Sequence, residues 1–589
     1  MNNHGWRGHV SSRYLVDVLT RTQKRQLGLL VCLWLVTVMA FYAWWSQPNH
    51  ITGLIPFTVN SLIVSWGALL PGYYFFFLSR MKRTDPSLTI PRHWRVAMIV
   101  TRAPSEPFAL VQRMLLTMQA QSPAHDTWLA DEEPTPESLE WCEAHNVFVS
   151  CRKNVPGYHR DVWPRRKRCK EGNLAYFYDT VGYLKYDFVV QMDFDHIPEP
   201  GYLEAMLRPF HDPAVGYVSA PSICDSNAAT SWVARGRLYL ESHIHGSVQA
   251  GYTGGGWSPM CIGSHYAVRT VALKQCGGLG PELAEDHSTT LLLCAHGWYG
   301  VHALDAEAHG DGPATFADGM IQEFQWARSL VMIFLTLTPH CLGRLSLKLK
   351  GQFLFGQLWY LFFSSTMLSC FLLPVLAVLL GVAFAHVNYF EFCLYSGLPM
   401  VASVAIIIWA KSLGVLRPRE AKLINWEVPL FQLVRWPWVF WGVIDAIRCA
   451  TLKSALDWRV TPKAVLVNSR VPTQWLVPYI IIVVGSMFIA SLWVQAAGIL
   501  GYYFLSIFNG IIYVTVIVSV LALQKSESRQ ALLLAERSQR RRRHCADPAP
   551  SWLGKGLNGN TRICFTMFRR NEQTHEKLRT LDRSYRHHC

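Results

Sequence analysis

Asp193-Phe194-Asp195 closes the apolar run Tyr186-Asp187-Phe188-Val189-Val190-Gln191-Met192. Side chains alternate along a strand, so the spacing predicts two carboxylates projecting to one side where a strand ends. In open α/β sheets that edge is where ligands gather. Two carboxylates there suit a divalent cation that also grips a diphosphate. Polar or acidic residues recur just past other strand-like runs. Ser105 and Glu106 follow Arg95–Thr101, and Asp131 follows Thr127–Ala130. Each alone is an ordinary turn residue, whereas several at successive carboxyl ends point to one nucleotide crevice.

The elements that must position these residues follow from hydrophobic patterning. Strand-like runs at Arg95–Thr101, Thr127–Ala130, Val147–Cys151 and Phe188–Met192 alternate with helix-like stretches, the pattern of a mostly parallel α/β sheet. This soluble segment, about 84–340, has the size of one large domain. It is flanked by apolar blocks. Leu27–Trp45 and Gly53–Leu78 precede it, and about Phe355–Phe384, Phe392–Ala410, Trp475–Val494 and Ile499–Leu523 follow. Each approaches or exceeds the ~17–20 residues needed to cross a ~30 Å hydrocarbon core. Six spans are therefore expected, two before the domain and four after it.

Arg7, Arg13, Arg21, Lys24 and Arg25 precede the first block, and Arg80, Lys82 and Arg83 follow the second, which puts the domain in the cytosol. The first block is too long and too far from the start for a typical cleaved signal peptide, so it is expected to be retained. Pro429–Ile447, within a stretch of about 421–448, contains Arg435, Pro437 and Asp445 among several tryptophans and is expected to lie at the interface. The net charge of +15 then serves anionic lipid headgroups and an anionic substrate; nucleic acid is not required as a partner. The fifteen cysteines contain no CxxC pair, so neither a disulfide framework nor a zinc site is indicated. The N-terminal tail (1–26) and the basic tail (524–589), with Arg540-Arg541-Arg542-Arg543, complete the chain.

In order along the sequence come Thr101 with Ser105-Glu106-Pro107, Asp131, Lys170-Glu171-Gly172-Asn173, Asp193-Phe194-Asp195, Glu285-Asp286 and Gln322-Glu323-Phe324-Gln325-Trp326. This series resembles the membrane-embedded, inverting family 2 glycosyltransferases, which include cellulose, chitin, hyaluronan and curdlan synthases. Trp458-Arg459-Val460-Thr461-Pro462-Lys463 is similar to the gating loop of cellulose synthases, within a stretch of about 456–470. The resemblance implies a GT-A-like α/β nucleotide-sugar-binding domain set between transmembrane helices in a plasma (bacterial inner) membrane.

It also implies roles. Thr101, Glu106, Asp131, Lys170 and Asp193 would bind the donor nucleotide, UDP-glucose being the best guess. Asp193 and Asp195 would hold Mg²⁺ or Mn²⁺, and Gly172 and Asn173 would shape the turn into a helix at Leu174–Tyr183. Asp286, at the start of a helix over Ser288–His296, would be the general base. Its plain alternative is an N-cap aspartate. Gln322 and Trp326 would bind the acceptor, and Val460, Thr461 and Lys463 would gate the site. The growing polysaccharide, the lipid bilayer and accessory export proteins are the further partners implied.

The chain departs from the family pattern at two points. Ala284 stands where the family has threonine, and Gln325 stands where its arginine meets the diphosphate. Arg328, three residues on, lies on the same helical face and is a candidate substitute. The segment after the last span is too short for the cyclic-di-GMP-binding domain that cellulose synthases often carry. Three functions follow: a processive polysaccharide synthase exporting its product through its own channel, a single-sugar transferase acting on a lipid acceptor, and a non-catalytic scaffold. Intact Asp193, Asp195 and Asp286 argue against the scaffold. Gly254–Trp257 and His309-Gly310-Asp311-Gly312 have the look of site loops without an assigned role, and His243 and His245 read as ordinary polar residues.

Overall fold

The structure is a computed structural model that describes residues 10–167, 170–282, 284–452, 471–492 and 499–546. The sequence expectation for Val460, Thr461 and Lys463 therefore lies outside the described residues.

Seven strands form the central sheet: β1 (Val96–Arg102), β2 (Asp126–Asp131), β3 (Phe148–Cys151), β4 (Phe188–Asp193), β5 (Val215–Ser219), β6 (His265–Arg269) and β7 (Tyr299–His302). Their spatial order is β7-β5-β6-β4-β1-β2-β3. β3, β2, β1 and β4 run parallel, as the alternating pattern predicts, while β6 enters antiparallel between β4 and β5. Both faces are covered, so the strands carry continuous apolar runs: all seven residues of β1 are buried. The parallel register aligns the carboxyl ends, with Thr101 opposite both Ala130 and Asp193, and Arg102 opposite Asp131. A three-stranded ribbon (Ile197–Pro198, Ala308–His309, Ser222–Ile223) sits beyond those ends.

Among the described residues, five helices are long and apolar enough to cross a membrane: α1 (Arg21–Trp45), α2 (Leu54–Ser79), α7 (Leu347–Leu380), α8 (Tyr389–Ser412) and the first 34 residues of α11 (Leu500–Ala546). Helices α3 to α6 belong to the domain: α3 (Lys170–Phe177), α4 (Trp232–His243), α5 (Glu285–Ala295) and α6 (Phe316–Thr336). The sixth expected span is α10 (Val477–Ser491), at 15 residues short of the ~17 a crossing takes.

α9 (Glu427–Leu452) holds the charges expected to seek the interface, and it meets them differently. Arg435 is buried and pairs with Glu323 of α6 at 3.0 Å, while Asp445 pairs with Arg328 of α6 at 3.3 Å. Trp441, Ile444 and Ile447 occupy an exposed apolar side of α9. The helix is thus amphipathic, with Arg435 and Asp445 paired within the protein. Gly254–Trp257 also lies against the membrane helices: Trp257 packs on Phe76 and Phe77 of α2, and Lys348 donates to the Gly255 carbonyl at 3.0 Å.

Candidate functional site

β4 ends at Asp193, and Phe194-Asp195 forms a turn closed by His196 N–H donating to the Asp193 carbonyl at 3.2 Å. A turn, not strand alternation, therefore brings the two carboxylates together. Acceptor atoms of Asp193, Asp195 and His196 all lie within 4.8 Å of one another. Asp195 is held from two sides, by His196 Nδ1 at 3.2 Å and by the Asp311 N–H at 3.3 Å. Burial alone would lower the His196 pKa, but the Asp195 carboxylate outweighs it and pushes it up to about 10. The two aspartates offer hard oxygens of the kind Mg²⁺ and Mn²⁺ prefer, and His196 is the third group within reach of the same point. The His309–Gly312 loop forms a wall of this site. A Cβ at Gly310 would lie 2.4 Å from the His196 ring, so only glycine allows that approach.

Lys170, the first residue of α3, donates to Asp193 Oδ1 at 2.6 Å and to the Gly263 carbonyl at 2.6 Å. Burial would lower its pKa, yet Asp193, Glu285 and Asp286 together raise it. Gly172 and Asn173 lie inside α3, not in a turn leading to it. A Cβ on Gly172 would sit 2.0 Å from Arg152 Nη1 and 2.2 Å from the Arg166 carbonyl, so close approach requires the glycine. The helix continues through a π-turn over Tyr178–Gly182 and on to Lys185, two residues past the expected end at Tyr183.

Glu285 and Asp286 open α5, whose N-cap is Ala284; Asp286 is therefore not the capping residue. Its Oδ1 accepts the His287 N–H at 2.8 Å, and the Gly263 N–H adds a second contact. Burial raises both carboxyl groups above the usual range, and their mutual repulsion adds to the rise at Glu285. Glu285 Oε1 is buried without a hydrogen-bond partner.

At the neighbouring strand end Asp131 is buried and paired with Arg102 at 2.7 Å, while Glu106 accepts the Ala103 N–H at 2.8 Å. Thr101 is buried at the end of β1. The structure thus gathers Thr101, Glu106 and Asp131 along one sheet edge, and Lys170, Asp193, Asp195 and Asp286 into one charged cluster.

Gln322 and Trp326 lie on α6, and both meet Arg237 of α4. Arg237 Nη1 donates to Gln322 Oε1 at 2.8 Å, and its guanidinium lies 4.2 Å from the centroid of the Trp326 ring. Glu241 grips Arg237 Nε with both oxygens at 3.1 Å. Arg328, the candidate substitute for Gln325, directs Nη1 to Asp445 at 3.3 Å. Sequence reading missed Arg237, Arg102, His196 and Gly263. Arg237 lies 85 residues before Gln322, and no local spacing links them.

A parallel sheet with one reversed strand, an acidic pair past its central edge and flanking apolar helices define a GT-A-like α/β domain in a chain with membrane-type helices. Residues 188–409 match the model of the family described as glycosyl transferase family group 2. No curated protein matches the chain. Among solved structures it is similar to a mannosyltransferase from Pyrobaculum calidifontis in complex with GDP-Man and Mn²⁺, at 14% identity over 67% of this chain and 99% of that one, TM-score 0.40. It is also similar to glucosyl-3-phosphoglycerate synthase from Mycobacterium tuberculosis in complex with Mn²⁺, UDP and glucosyl-3-phosphoglycerate, at 15% identity over 39% and 78% of the two chains, TM-score 0.26.

Proposed function

We propose that the protein is an inverting, processive glycosyltransferase that extends a polysaccharide from a nucleotide-sugar, UDP-glucose being the first choice, and exports it through its own membrane helices. The observation that carries this reading is the convergence of Lys170, Asp193, Asp195 and the Glu285–Asp286 pair at one sheet edge, beside the strand ends of Thr101 and Asp131.

Asp131 and Arg102 would meet the nucleoside, and Lys170 would offer its ammonium to the diphosphate. Asp193 and Asp195 would hold Mg²⁺ or Mn²⁺, which when bound supplies Lewis-acid stabilisation of the leaving nucleotide. Asp286 takes the proton of the acceptor hydroxyl as that oxygen attacks the anomeric carbon. The nucleoside diphosphate departs from the opposite face, so the configuration inverts. Burial suits Asp286 to this work, because a carboxylate of raised pKa is a stronger base. Gln322 and Trp326 would meet the acceptor sugar, and Arg237, which touches both, would add a positive contact there.

Membranes containing the protein should be incubated with a panel of radiolabelled nucleotide-sugars and the product sized and digested with linkage-specific hydrolases. A hydrolase-sensitive polymer is expected from UDP-glucose. A single sugar on an extractable lipid would replace processive synthesis with lipid glycosylation, and no transfer from any donor would refute enzymatic function.

A further inference from the structure

Lys170 occupies an oxygen cage that has the makings of a cation seat. Its ammonium touches a carboxylate oxygen of Asp193 and a main-chain carbonyl, both at 2.6 Å, and its side chain is 22% exposed. Asp193 is also one of the carboxylates fitted to a divalent ion, with Asp195 acceptor atoms within 4.8 Å of its own. An ammonium and a divalent ion bound to one carboxylate repel each other strongly, since the separation is a few ångströms and the surroundings are partly dry.

The surroundings give the ammonium somewhere to go. Lys170 begins α3, so its four-carbon stem can swing without unwinding the helix. Glu285 and Asp286 both lie within electrostatic reach of the ammonium. Gly263 ties the parts together, its carbonyl accepting from Lys170 and its N–H facing Asp286.

We infer that Lys170 is an exchangeable placeholder cation: it holds Asp193 while the crevice is empty and yields that carboxylate to a divalent ion when a nucleoside diphosphate takes up its ammonium. Metal binding is then conditional on nucleotide. The dependence is reciprocal, with metal tightening nucleotide by the same factor. The inference rests on reading this crevice as a nucleotide-sugar site, and it adds an order of events that the site composition alone does not supply.

The test is Mn²⁺ binding to the full-length protein in detergent, read from the electron paramagnetic resonance signal of free Mn²⁺, with and without UDP or GDP. Lys170→Met should bind Mn²⁺ alone on the order of tenfold or more tightly than wild type, because a positive charge a few ångströms from the ion is gone. The tightening produced by UDP should shrink in the variant without vanishing, since diphosphate oxygens still ligate the ion. In an Asp193→Asn background Lys170→Met should bring no gain, which separates exchange at that carboxylate from a general change in potential. Lys170→Gln carries the same expectation if the methionine variant does not fold. A wild type that binds UDP or GDP while neither variant gains Mn²⁺ affinity overturns the exchange alone. A wild type that binds Mn²⁺ as tightly without nucleotide as with it overturns it too. A wild type that binds neither nucleotide overturns the underlying reading of the crevice and the exchange with it.

Discussion

Asp286→Asn separates chemistry from architecture at this site. The side chain sits in the first turn of α5, and its Oδ1 accepts the His287 N–H at 2.8 Å, a bond that an asparagine oxygen can keep. The Gly263 contact would then face an amide nitrogen, and losing that acceptor costs about 1 kcal/mol. Against this, the substitution removes one negative charge from a cluster that already holds Glu285 and Asp193, which relieves repulsion. Folding and UDP binding should therefore stay close to wild type. Loss of a general base costs ~10²–10⁴-fold in rate, about 2.7–5.5 kcal/mol of barrier, well above the structural penalty.

The assay is the initial rate of sugar transfer from radiolabelled UDP-glucose, with UDP affinity measured on the same preparation. A variant that keeps more than roughly a tenth of wild-type turnover lies outside the general-base range and refutes the assignment. The pH profile gives a second reading. A base must be ionised to accept a proton, and burial holds Asp286 above the ordinary carboxylate range. The wild-type rate should thus fall on acidification at a higher pH than an exposed aspartate would give, and this acid limb should be absent from any residual rate of Asp286→Asn.

Asp195→Asn or Asp193→Asn should weaken Mn²⁺-dependent UDP binding, and UDP titrations showing equal metal enhancement in variant and wild type would exclude both from the metal site. Replacing Arg237 by Met together with Glu241 by Gln, so that no buried charge is stranded, should raise the acceptor KM while leaving UDP affinity unchanged. An unchanged acceptor KM would remove Arg237 from the site. Gly172→Ala should cost about 1–3 kcal/mol by overpacking against Arg152 and the Arg166 carbonyl, and should weaken UDP binding by shifting Lys170. An unaltered melting temperature and UDP affinity would show that α3 accommodates the methyl group.

Local patterning made much of this molecule legible. An apolar run must be buried somewhere, so Arg95–Thr101 and Phe188–Met192 announce strands whose observed bounds, Val96–Arg102 and Phe188–Asp193, differ by a residue. The same holds for the long apolar blocks, which become helices of 24 to 34 residues where they pass the length test. Lys170, Asp193, Asp286 and Trp326 could be picked out because ordered motifs carry them. Other features depend on contacts between distant parts of the chain, to which periodicity is blind. The reversed strand β6 lies between β4 and β5 and places Gly263 beneath Lys170, a consequence of strand pairing rather than of its own composition. The placing of Asp195 depends on a turn and on the Asp311 N–H, 116 residues away. Arg435 looks in isolation like a residue seeking headgroups, but Glu323, 112 residues earlier, neutralises it inside the protein. Arg237 reaches Trp326 because α4 packs beside α6. The residue types able to do this chemistry are set by sequence, but the partner of each charge is chosen by packing, because a charge taken from water must be paired by whatever the fold brings within reach.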